Sequence, residues 1–327
     1  MSRTPEFRDI QAAAERLRGL ASVTPLLENA ELNARTGGRI LLKAETLQRT
    51  GSFKFRGAYN RLCLIPEAER GRGVIAYSSG NHAQGVGAAA QLLGIKATIL
   101  MPSDAPKVKV ANTKRYGAEV VHFDRFTENR EELAEALSDK TGGVLISPFD
   151  DPDLIAGQGT CGLEMAEQMQ ALGSAPDAVL ICVGGGALCA GSSLAIKHFW
   201  PDCPIYSVEP SDFDDTARSL RSGKRERNDP AARSICDALL SPMPGKMTFE
   251  LNKDLLAGGL GVTDDEVRAA MAYAFNTLKL VVEPGGAVCL AAVLQGKLPA
   301  QGRTIALTLS GGSVDPERLS EALNSLQ

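Results

Sequence analysis

The first residue that could do chemistry is Lys54, which stands between Phe53 and Phe55 in the stretch GSFKFRGAYN (51–60). Burial among aromatic rings disfavours a charged ammonium group, so the pKa of this lysine would fall. A neutral lysine amine is the nucleophile that a Schiff-base enzyme needs. The alternative is a surface lysine that lays its methylene groups on the two rings and keeps its charge in water.

Three loops carry further polar groups. GGGAL (184–188) joins a buried strand to a helix, where glycines and free backbone N–H groups could hold a phosphate, although it could also be only a tight turn. SSGNH (78–82) places two hydroxyls and an amide at another helix start, which suits a carboxylate, although capping explains one serine. LSGG (309–312) adds a single hydroxyl, that of Ser310.

Together these groups indicate pyridoxal 5'-phosphate, bound as a Schiff base to Lys54 and acting on an amino acid. GGGAL lacks the spacing of a dinucleotide-binding loop and the lysine of a P-loop, which disfavours nicotinamide and ATP chemistry. The sequence shows no Ser-His-Asp order, metalloprotease motif or Cys-His pair that would compete with this interpretation.

The elements that must position these residues alternate between strand and helix. Eight apolar stretches are predicted as strands: 39–43, 74–77, 96–101, 118–123, 144–147, 178–183, 204–210 and the first part of 304–312. Ser52 is the candidate N-cap of the helix that carries Lys54 through Leu64, and residues 211–258 are expected to be irregular.

Strands that alternate with helices form parallel sheets from right-handed crossover units. We therefore predict an α/β protein with two domains, each a mostly parallel twisted sheet flanked by helices, and a ligand cleft between them at the carboxyl ends of the strands. A small domain at 71–147 is expected to be inserted into a large domain made of 1–70 and 148–327.

Composition places the 327-residue chain among ordinary globular proteins, with 44% hydrophobic and 23% charged residues. A net charge of −4 argues against nucleic acid or an anionic membrane as the main partner. Seven scattered cysteines without a C-x-x-C spacing indicate free thiols in a reducing compartment, and three distant histidines disfavour a histidine-rich metal site. The N-terminus lacks the apolar region of a signal peptide, and no run approaches the roughly 20 apolar residues that span a bilayer, so we expect a cytoplasmic protein.

Five motifs give the chain a resemblance to the serine/threonine dehydratase and serine racemase family, pyridoxal-phosphate enzymes of fold type II, the tryptophan synthase β-like class. The motifs follow the family's order and spacing, and they are GSFKFRGA, SSGNHAQG, IAGQGT (155–160), VGGGAL and SGG. The resemblance covers nearly the whole chain, from 24–33 to 309–315.

The resemblance implies a role for each matching residue. Lys54 would be the Schiff-base lysine, with Phe53 near the pyridine ring and Asn81 bonded to the ring hydroxyl. The phosphate would be held by the backbone N–H groups of Gly184, Gly185, Gly186, Ala187 and Leu188. Ser310 would face the pyridine nitrogen and leave it unprotonated, which weakens the ring as an electron sink but which the family's β-elimination tolerates.

The activity that the resemblance implies is that of a dehydratase, an ammonia-lyase that converts L-threonine or L-serine to a 2-oxo acid and ammonia. The alternatives are a 3-hydroxyaspartate dehydratase and a serine racemase with dehydratase side activity. Ser79 stands where the racemases and hydroxyaspartate dehydratases of the family carry a serine, as a second catalytic acid/base on the face opposite Lys54. Plain threonine dehydratases usually have alanine there, and a surplus capping hydroxyl is the other interpretation.

Substrate binding is predicted at five residues that the resemblance places near the amino acid: Ser78, Ser79, Asn81, His82 and Arg130. Ser78, Asn81 and His82 would meet the α-carboxylate. Arg130, with Lys246, could meet a second carboxylate such as that of 3-hydroxyaspartate, or both could be solvated surface charges.

A divalent cation, Mg²⁺ or Ca²⁺, is expected in VEPSDFDD (208–215), which resembles the family's cation loop. Glu209 and Asp215 would give carboxylate oxygens and Phe213 its backbone carbonyl, although solvated acids at a strand end are the alternative.

We also expect a homodimer without a C-terminal regulatory domain. A non-catalytic module that binds a phosphate ligand is the rival from another class, and β-replacement enzymes of this fold carry a different lysine motif.

Overall fold

The computed structural model describes residues 3–324 and contains two β-sheets with helices around them. Within these residues there are ten strands: β1 Leu26–Glu28, β2 Arg39–Ala44, β3 Val74–Tyr77, β4 Ala97–Pro102, β5 Glu119–Phe123, β6 Val144–Ile146, β7 Ala178–Cys182, β8 Ile205–Pro210, β9 Gly258–Val262 and β10 Thr304–Leu309. The same residues form fourteen α-helices: α1 Phe7–Leu17, α2 Ala30–Thr36, α3 Lys54–Cys63, α4 Glu67–Arg70, α5 Asn81–Leu93, α6 Lys107–Arg115, α7 Arg130–Thr141, α8 Pro152–Ala171, α9 Ala187–Phe199, α10 Asp215–Ser222, α11 Lys246–Leu255, α12 Asp264–Tyr273, α13 Pro284–Leu294 and α14 Pro316–Asn324.

The strands form a large and a small sheet. The large sheet has the order β1-β2-β10-β7-β8-β9, and all its neighbours are parallel except β1, which pairs antiparallel with β2. The small sheet has the order β5-β4-β3-β6 and is parallel throughout. Every residue of β7 is buried, as expected for a central parallel strand that helices cover on both faces. The predicted α/β class with two mostly parallel sheets is confirmed.

The four strands of the small sheet lie between residues 74 and 146, inside the segment 71–147 predicted as the inserted domain. Helix α3 precedes that segment, yet Phe55, Ala58 and Leu62 on α3 belong to the same apolar core as β3 and β4. The boundaries at 71 and 147 therefore remain a prediction. Among residues 3–324, no helix has both the length and the apolar character needed to cross a membrane.

Helices α3, α8 and α9 approach one another closely because glycines face the contacts. A Cβ atom added to Gly157 on α8 would lie 2.6 Å from the Cα of Gly57 on α3. One added to Gly191 on α9 would lie 2.3 Å from the carbonyl oxygen of Ile155 on α8. The motif IAGQGT is therefore a helix-packing surface, and it fixes the helix that begins with Lys54.

Some local predictions were wrong. Ser52 is not the N-cap of α3: Phe53 occupies that position, and the Ser52 hydroxyl has no hydrogen-bond partner among residues 3–324. Ser52 instead forms an isolated antiparallel bridge with Gly311, and the Phe53 N–H donates to the Ser310 carbonyl at 3.1 Å. These contacts join the Lys54 segment to the loop after β10.

The region 211–258 is more regular than expected, since it contains α10 and α11. Five elements that lie wholly or mostly outside it were also missed: β1, α2, α4, β9 and α14. Helix α8 begins at Pro152 rather than at Gly157, because Asp151 caps it by accepting from the N–H groups of Asp153 and Leu154.

Candidate active site

A cleft of about 680 Å³ lies where the carboxyl ends of the two sheets meet, as expected for ligand sites in parallel sheets. Tyr77 at the end of β3, Phe123 at the end of β5 and Cys182 at the end of β7 all line it. The structure brings every predicted cofactor-binding and substrate-binding residue to this cleft: Phe53, Lys54, Ser78, Ser79, Asn81, His82, Arg130, Gly184, Gly185, Gly186, Ala187, Leu188 and Ser310. Their individual roles remain predictions.

Lys54 is the first residue of α3, and its side chain is partly buried at the cleft. Its Nζ donates to the Pro148 carbonyl at 2.8 Å and lies 5.3 Å from the centre of the Phe53 ring. Burial lowers the pKa of Lys54 to about 8. Phe55 does not share this contact, because its ring packs in the core against Tyr59 at 5.8 Å. A larger fraction of this amine is therefore neutral near pH 8 than for an ordinary lysine.

The loop 184–188 presents a row of donors to the cleft. Among residues 3–324, no protein acceptor bonds to the backbone N–H groups of Gly184 to Leu188. Gly186 has φ +100°, and a Cβ on Gly185 would lie 2.1 Å from the Phe149 ring, so side chains are excluded from this turn. The Thr248 hydroxyl holds the Gly185 carbonyl at 2.7 Å. Free donors at the start of α9 fit a phosphate group.

The loop 78–82 forms a second cradle at the start of α5. The Ser78 hydroxyl accepts from the Gly80 N–H at 3.0 Å, while the N–H groups of Ser79, Asn81 and His82 have no protein acceptor within the described chain. Burial, with the nearby Lys54 charge, lowers the pKa of His82 to about 3, so this imidazole is neutral. The cradle therefore relies on backbone donors and the helix dipole, which suit a carboxylate.

An ionic cluster that we did not predict supports this second loop. Lys109 on α6 is fully buried, and its Nζ lies 2.7 Å from a carboxylate oxygen of Asp237 and 2.7 Å from one of Glu283. Burial opposes the charge of Lys109, but the two acids overcome this and raise its pKa above the ordinary value. Glu283 also accepts from the Asn81 side-chain amide, and the Asp237 carbonyl accepts from the Ser79 hydroxyl at 3.2 Å.

Arg130 lies at the mouth of the cleft and is half-exposed. Its guanidinium carbon is 5.3 Å from the centre of the Tyr77 ring, and its Nε is 3.8 Å from Glu131. Lys246 lines the same cleft. Both cations could therefore reach a ligand group that extends toward solvent.

The predicted cation residues lie outside the cleft, around the start of α10. Glu209 accepts from the N–H groups of Thr216 and Ala217 at 2.9 Å each, and one Asp215 oxygen accepts from Asn228. The other oxygen of Asp215 is buried without a partner among the described residues, and burial raises the pKa of both acids. No group of three or more His, Cys, Asp or Glu in residues 3–324 is arranged to hold a metal ion. A site of two acids and a carbonyl is not tested by that finding.

The fold and the cleft, with its lysine and two anion cradles, define a class of cofactor enzyme. The model of the family described as pyridoxal-phosphate dependent enzyme matches residues 17–311. The chain belongs to this family, and its cofactor is pyridoxal 5'-phosphate.

Three individual proteins show which enzymes this chain is similar to. The chain is 42% identical to an L-threo-3-hydroxyaspartate ammonia-lyase of Pseudomonas sp, over 97% of this chain and 98% of that protein. It is 39% identical to a serine racemase of Schizosaccharomyces pombe, over 98% of each. The crystal structure of a threonine deaminase from T.th. superposes with a TM-score of 0.89 at 45% identity, covering 95% of this chain and 99% of that one. The predicted family and fold type II are confirmed.

Proposed function

We propose that this protein is an ammonia-lyase that acts by β-elimination on an L-3-hydroxyamino acid, L-threonine or L-serine, and releases a 2-oxo acid and ammonia. The carrying observation is Lys54, whose pKa is lowered to about 8, in one cleft with a phosphate-sized and a carboxylate-sized cradle. The predicted lyase class agrees with the names of the ammonia-lyase and deaminase relatives. A non-catalytic module would have no use for a lysine with a lowered pKa beside the cradles.

The residues that would hold the cofactor fit its groups. The free N–H groups of Gly184 to Leu188 would bind the phosphate, Phe53 would contact the ring, and Asn81, which has an unpartnered buried oxygen, would meet the ring hydroxyl. Ser310 would face the ring nitrogen with a neutral hydroxyl rather than a charge. When bound, the cofactor draws electron density from the substrate Cα and so makes its proton removable.

The protein's own groups would then orient the substrate and move its protons. The Ser78 hydroxyl and the N–H donors of Ser79, Asn81 and His82 would fix the α-carboxylate, and the neutral Lys54 amine would take the Cα proton. A general base with a pKa near the working pH is the most effective, which the burial of Lys54 provides. The β-hydroxyl leaves as water, and the water consumed in releasing ammonia balances it.

The test measures turnover by two variants, Lys54→Ala and Lys54→Arg. The arginine keeps the positive charge but cannot provide a neutral amine. Both variants should lose the visible absorption of a lysine-linked cofactor and the release of 2-oxo acid from L-threonine and L-serine. A Lys54→Ala protein that keeps both properties would overturn the proposal. A wild-type protein that binds the cofactor but releases no 2-oxo acid from any hydroxyamino acid would favour the non-catalytic module.

A 3-hydroxyaspartate substrate is the second candidate, and two cations at the cleft favour it. Arg130 and Lys246 line the cavity; among the described residues the Arg130 guanidinium has only the 3.8 Å ion pair with Glu131, and the Lys246 ammonium group forms no ion pair. A guanidinium binds a carboxylate through two parallel hydrogen bonds, so Arg130→Met should reduce kcat/KM for 3-hydroxyaspartate and not for L-serine. An equal reduction for both substrates would argue against a second-carboxylate site.

A racemase side activity rests on Ser79, whose hydroxyl lines the cleft. As an acid/base on the face opposite Lys54, it would return a proton to the substrate Cα from that side. Ser79→Ala should abolish formation of D-serine from L-serine while 2-oxo acid release continues. D-Serine formation that survives the substitution would leave Ser79 only its structural contact with the Asp237 carbonyl.

A divalent cation, Mg²⁺ or Ca²⁺, is proposed between Glu209, Asp215 and the Phe213 carbonyl. Two buried acids with raised pKa values and one unpartnered Asp215 oxygen support this, since a cation would satisfy them together. Adding either ion to chelator-treated protein should raise its melting temperature, and Asp215→Asn should remove the effect. A melting temperature that does not respond in the wild type would contradict the site.

We further propose a homodimer in the cytoplasm. Three large apolar side chains are exposed: Leu47 by 53%, Val281 by 43% and Phe275 by 41%. Val281 and Thr46, the residue before Leu47, both lie beside Gly312. The seven cysteines are all free, which suits a reducing compartment. Sedimentation at the mass of one chain would contradict the proposed homodimer. Recovery of the protein from a secreted or membrane fraction would contradict the proposed cytoplasmic location.

A further inference from the structure

Lys109 is a fully buried lysine that the proposed elimination does not use. It lies on α6, which packs with the small sheet, while its two acidic partners belong to segments that pack with the large sheet. Asp237 begins the 3₁₀ turn Asp237–Leu239, and Glu283 directly precedes α13. Its ammonium group therefore joins segments that approach the cleft from both sides.

Each acid in turn contacts a residue of the loop 78–82. The backbone carbonyl of Asp237 accepts from the Ser79 hydroxyl at 3.2 Å, and the Glu283 carboxylate accepts from the side-chain amide of Asn81. Ser79 and Asn81 are separated by one residue only, so these contacts close a ring through the ammonium group of Lys109.

The stem of Lys109 passes beneath the residue that separates them. A Cβ atom added to Gly80 would lie 2.0 Å from the Cδ of Lys109 and 2.8 Å from its Cβ. The lysine therefore supports the loop in two independent ways, by packing of its methylene groups and by the charges of its partners. Neither contact reaches the reacting atoms directly.

We propose that Lys109 is a positioning residue, which fixes Asn81 through Glu283 and Ser79 through Asp237 so that both side chains meet the cofactor and substrate correctly. This inference rests on the proposed function for the role of the loop, but the cofactor contact of Asn81 requires only that the cofactor binds. Without the ammonium group, the buried Glu283 carboxylate and the partly buried Asp237 carboxylate face each other unpaired, and Glu283 loses the partner that holds it against Asn81. Asn81 and Ser79 would then move together.

The test compares Lys109→Met, which keeps an apolar stem beneath Gly80 and removes the charge, with Lys107→Met. Lys107 lies on the same helix with an exposed side chain, so its variant should behave as the wild type. Lys109→Met should shift the visible absorption band of the bound cofactor and weaken cofactor binding by the apoprotein. Its kcat for 2-oxo acid release should fall by on the order of 100-fold, since misplacement by about 1 Å can cost that much.

A loss of folding in Lys109→Met would hide these effects, and the double variant Lys109→Met/Glu283→Gln covers that case. It removes one charge of each sign, so the buried cluster keeps its wild-type net charge and the protein should fold. It should still show the shifted absorption band and the lowered kcat. Wild-type absorption and kcat in a folded Lys109 variant, with only a lower melting temperature, would overturn the inference. If the wild type itself releases no 2-oxo acid, the proposed function fails, while the absorption and affinity comparison still decides the role of Lys109.

Discussion

The helix that carries Lys54 is anchored by an arginine two residues further on, and its removal can be predicted quantitatively. Arg56 is fully buried and holds two acids: Glu45, through two hydrogen bonds of 2.8 Å, and Glu164, through bonds of 2.7 and 2.8 Å. Lys43 holds Glu164 as well, at 2.8 Å. Arg56→Met leaves Glu45 buried with no adjacent guanidinium, and breaking a buried pair in this way costs about 3–5 kcal/mol.

The unfolding free energy that Arg56→Met loses should depend on pH in a defined direction. Burial opposes the charge of Glu45, but Arg56 holds the pKa of that carboxyl below its ordinary value, so in the wild type its contribution is present above pH about 4.5 and is lost as pH falls. In Arg56→Met the unpaired carboxyl has a raised pKa, and its folded state is penalised increasingly as pH rises. The difference in stability should therefore be largest near neutral pH and should shrink toward pH about 5.

Urea unfolding at pH 7.5 and at pH 5 measures this difference. The matched control is Arg39→Met, since Arg39 forms a half-exposed pair with Glu28 at 3.0 Å that should contribute at most about 1 kcal/mol. Arg56→Lys should recover only part of the stability, because an ammonium group cannot replace the planar bidentate contact. A loss below about 1 kcal/mol for Arg56→Met, or a loss that grows on acidification, would refute this reasoning.

Three further outcomes follow from single features of the structure. Gly157→Ala should cost about 1–3 kcal/mol in unfolding free energy, because its Cβ would lie 2.6 Å from the Cα of Gly57, whereas Gly71→Ala, with no atom within 4 Å, should be neutral; equal effects would contradict the close helix contact. Covalent capture of the cofactor by apoprotein should accelerate with pH with a midpoint near pH 8, as Lys54 deprotonates, and a midpoint near 10 would show an unperturbed lysine. Burial lowers the pKa of His82 to about 3, so below pH about 6.5 the unfolded chain binds more protons than the folded protein, and the free energy of unfolding falls. His82→Gln should therefore lose less of this free energy between pH 6.5 and 4 than the wild type. An equal loss in both proteins would show that His82 does not cause the acid destabilisation.

The chemistry of the site was largely predictable because its parts are local. Lys54, the loop 184–188 and the loop 78–82 each combine residue types that need only the start of a helix after a strand to work. Parallel sheets then bring the carboxyl ends of their strands to one cleft, which is where these residues lie.

The support of the site could not be predicted, because it depends on contacts distant in sequence. Lys109 meets Asp237 across 128 residues, and Asn81 meets Glu283 across 202. No local pattern distinguishes Lys109 from the solvated lysines of its helix. The wrong prediction for Ser52 has the same cause. Its position beside a helix predicts a capping role, but in the structure Ser52 forms a bridge with Gly311, which is distant in sequence.

Short elements were missed for a related reason. Strand β1 has only three residues, and its pairing with β2, rather than any alternation of its own, makes it a strand. The start of α8, by contrast, was readable: Asp151 followed by Pro152 is a sequence typical of a capped helix start.

The most direct test of the central claim is the identity of the lysine that binds the cofactor. Borohydride treatment of the holoenzyme, followed by proteolysis and mass spectrometry, should find the pyridoxyl phosphate group retained on Lys54 at one group per chain. A retained group on another lysine, or none on any peptide of a protein that binds the cofactor, would contradict the account.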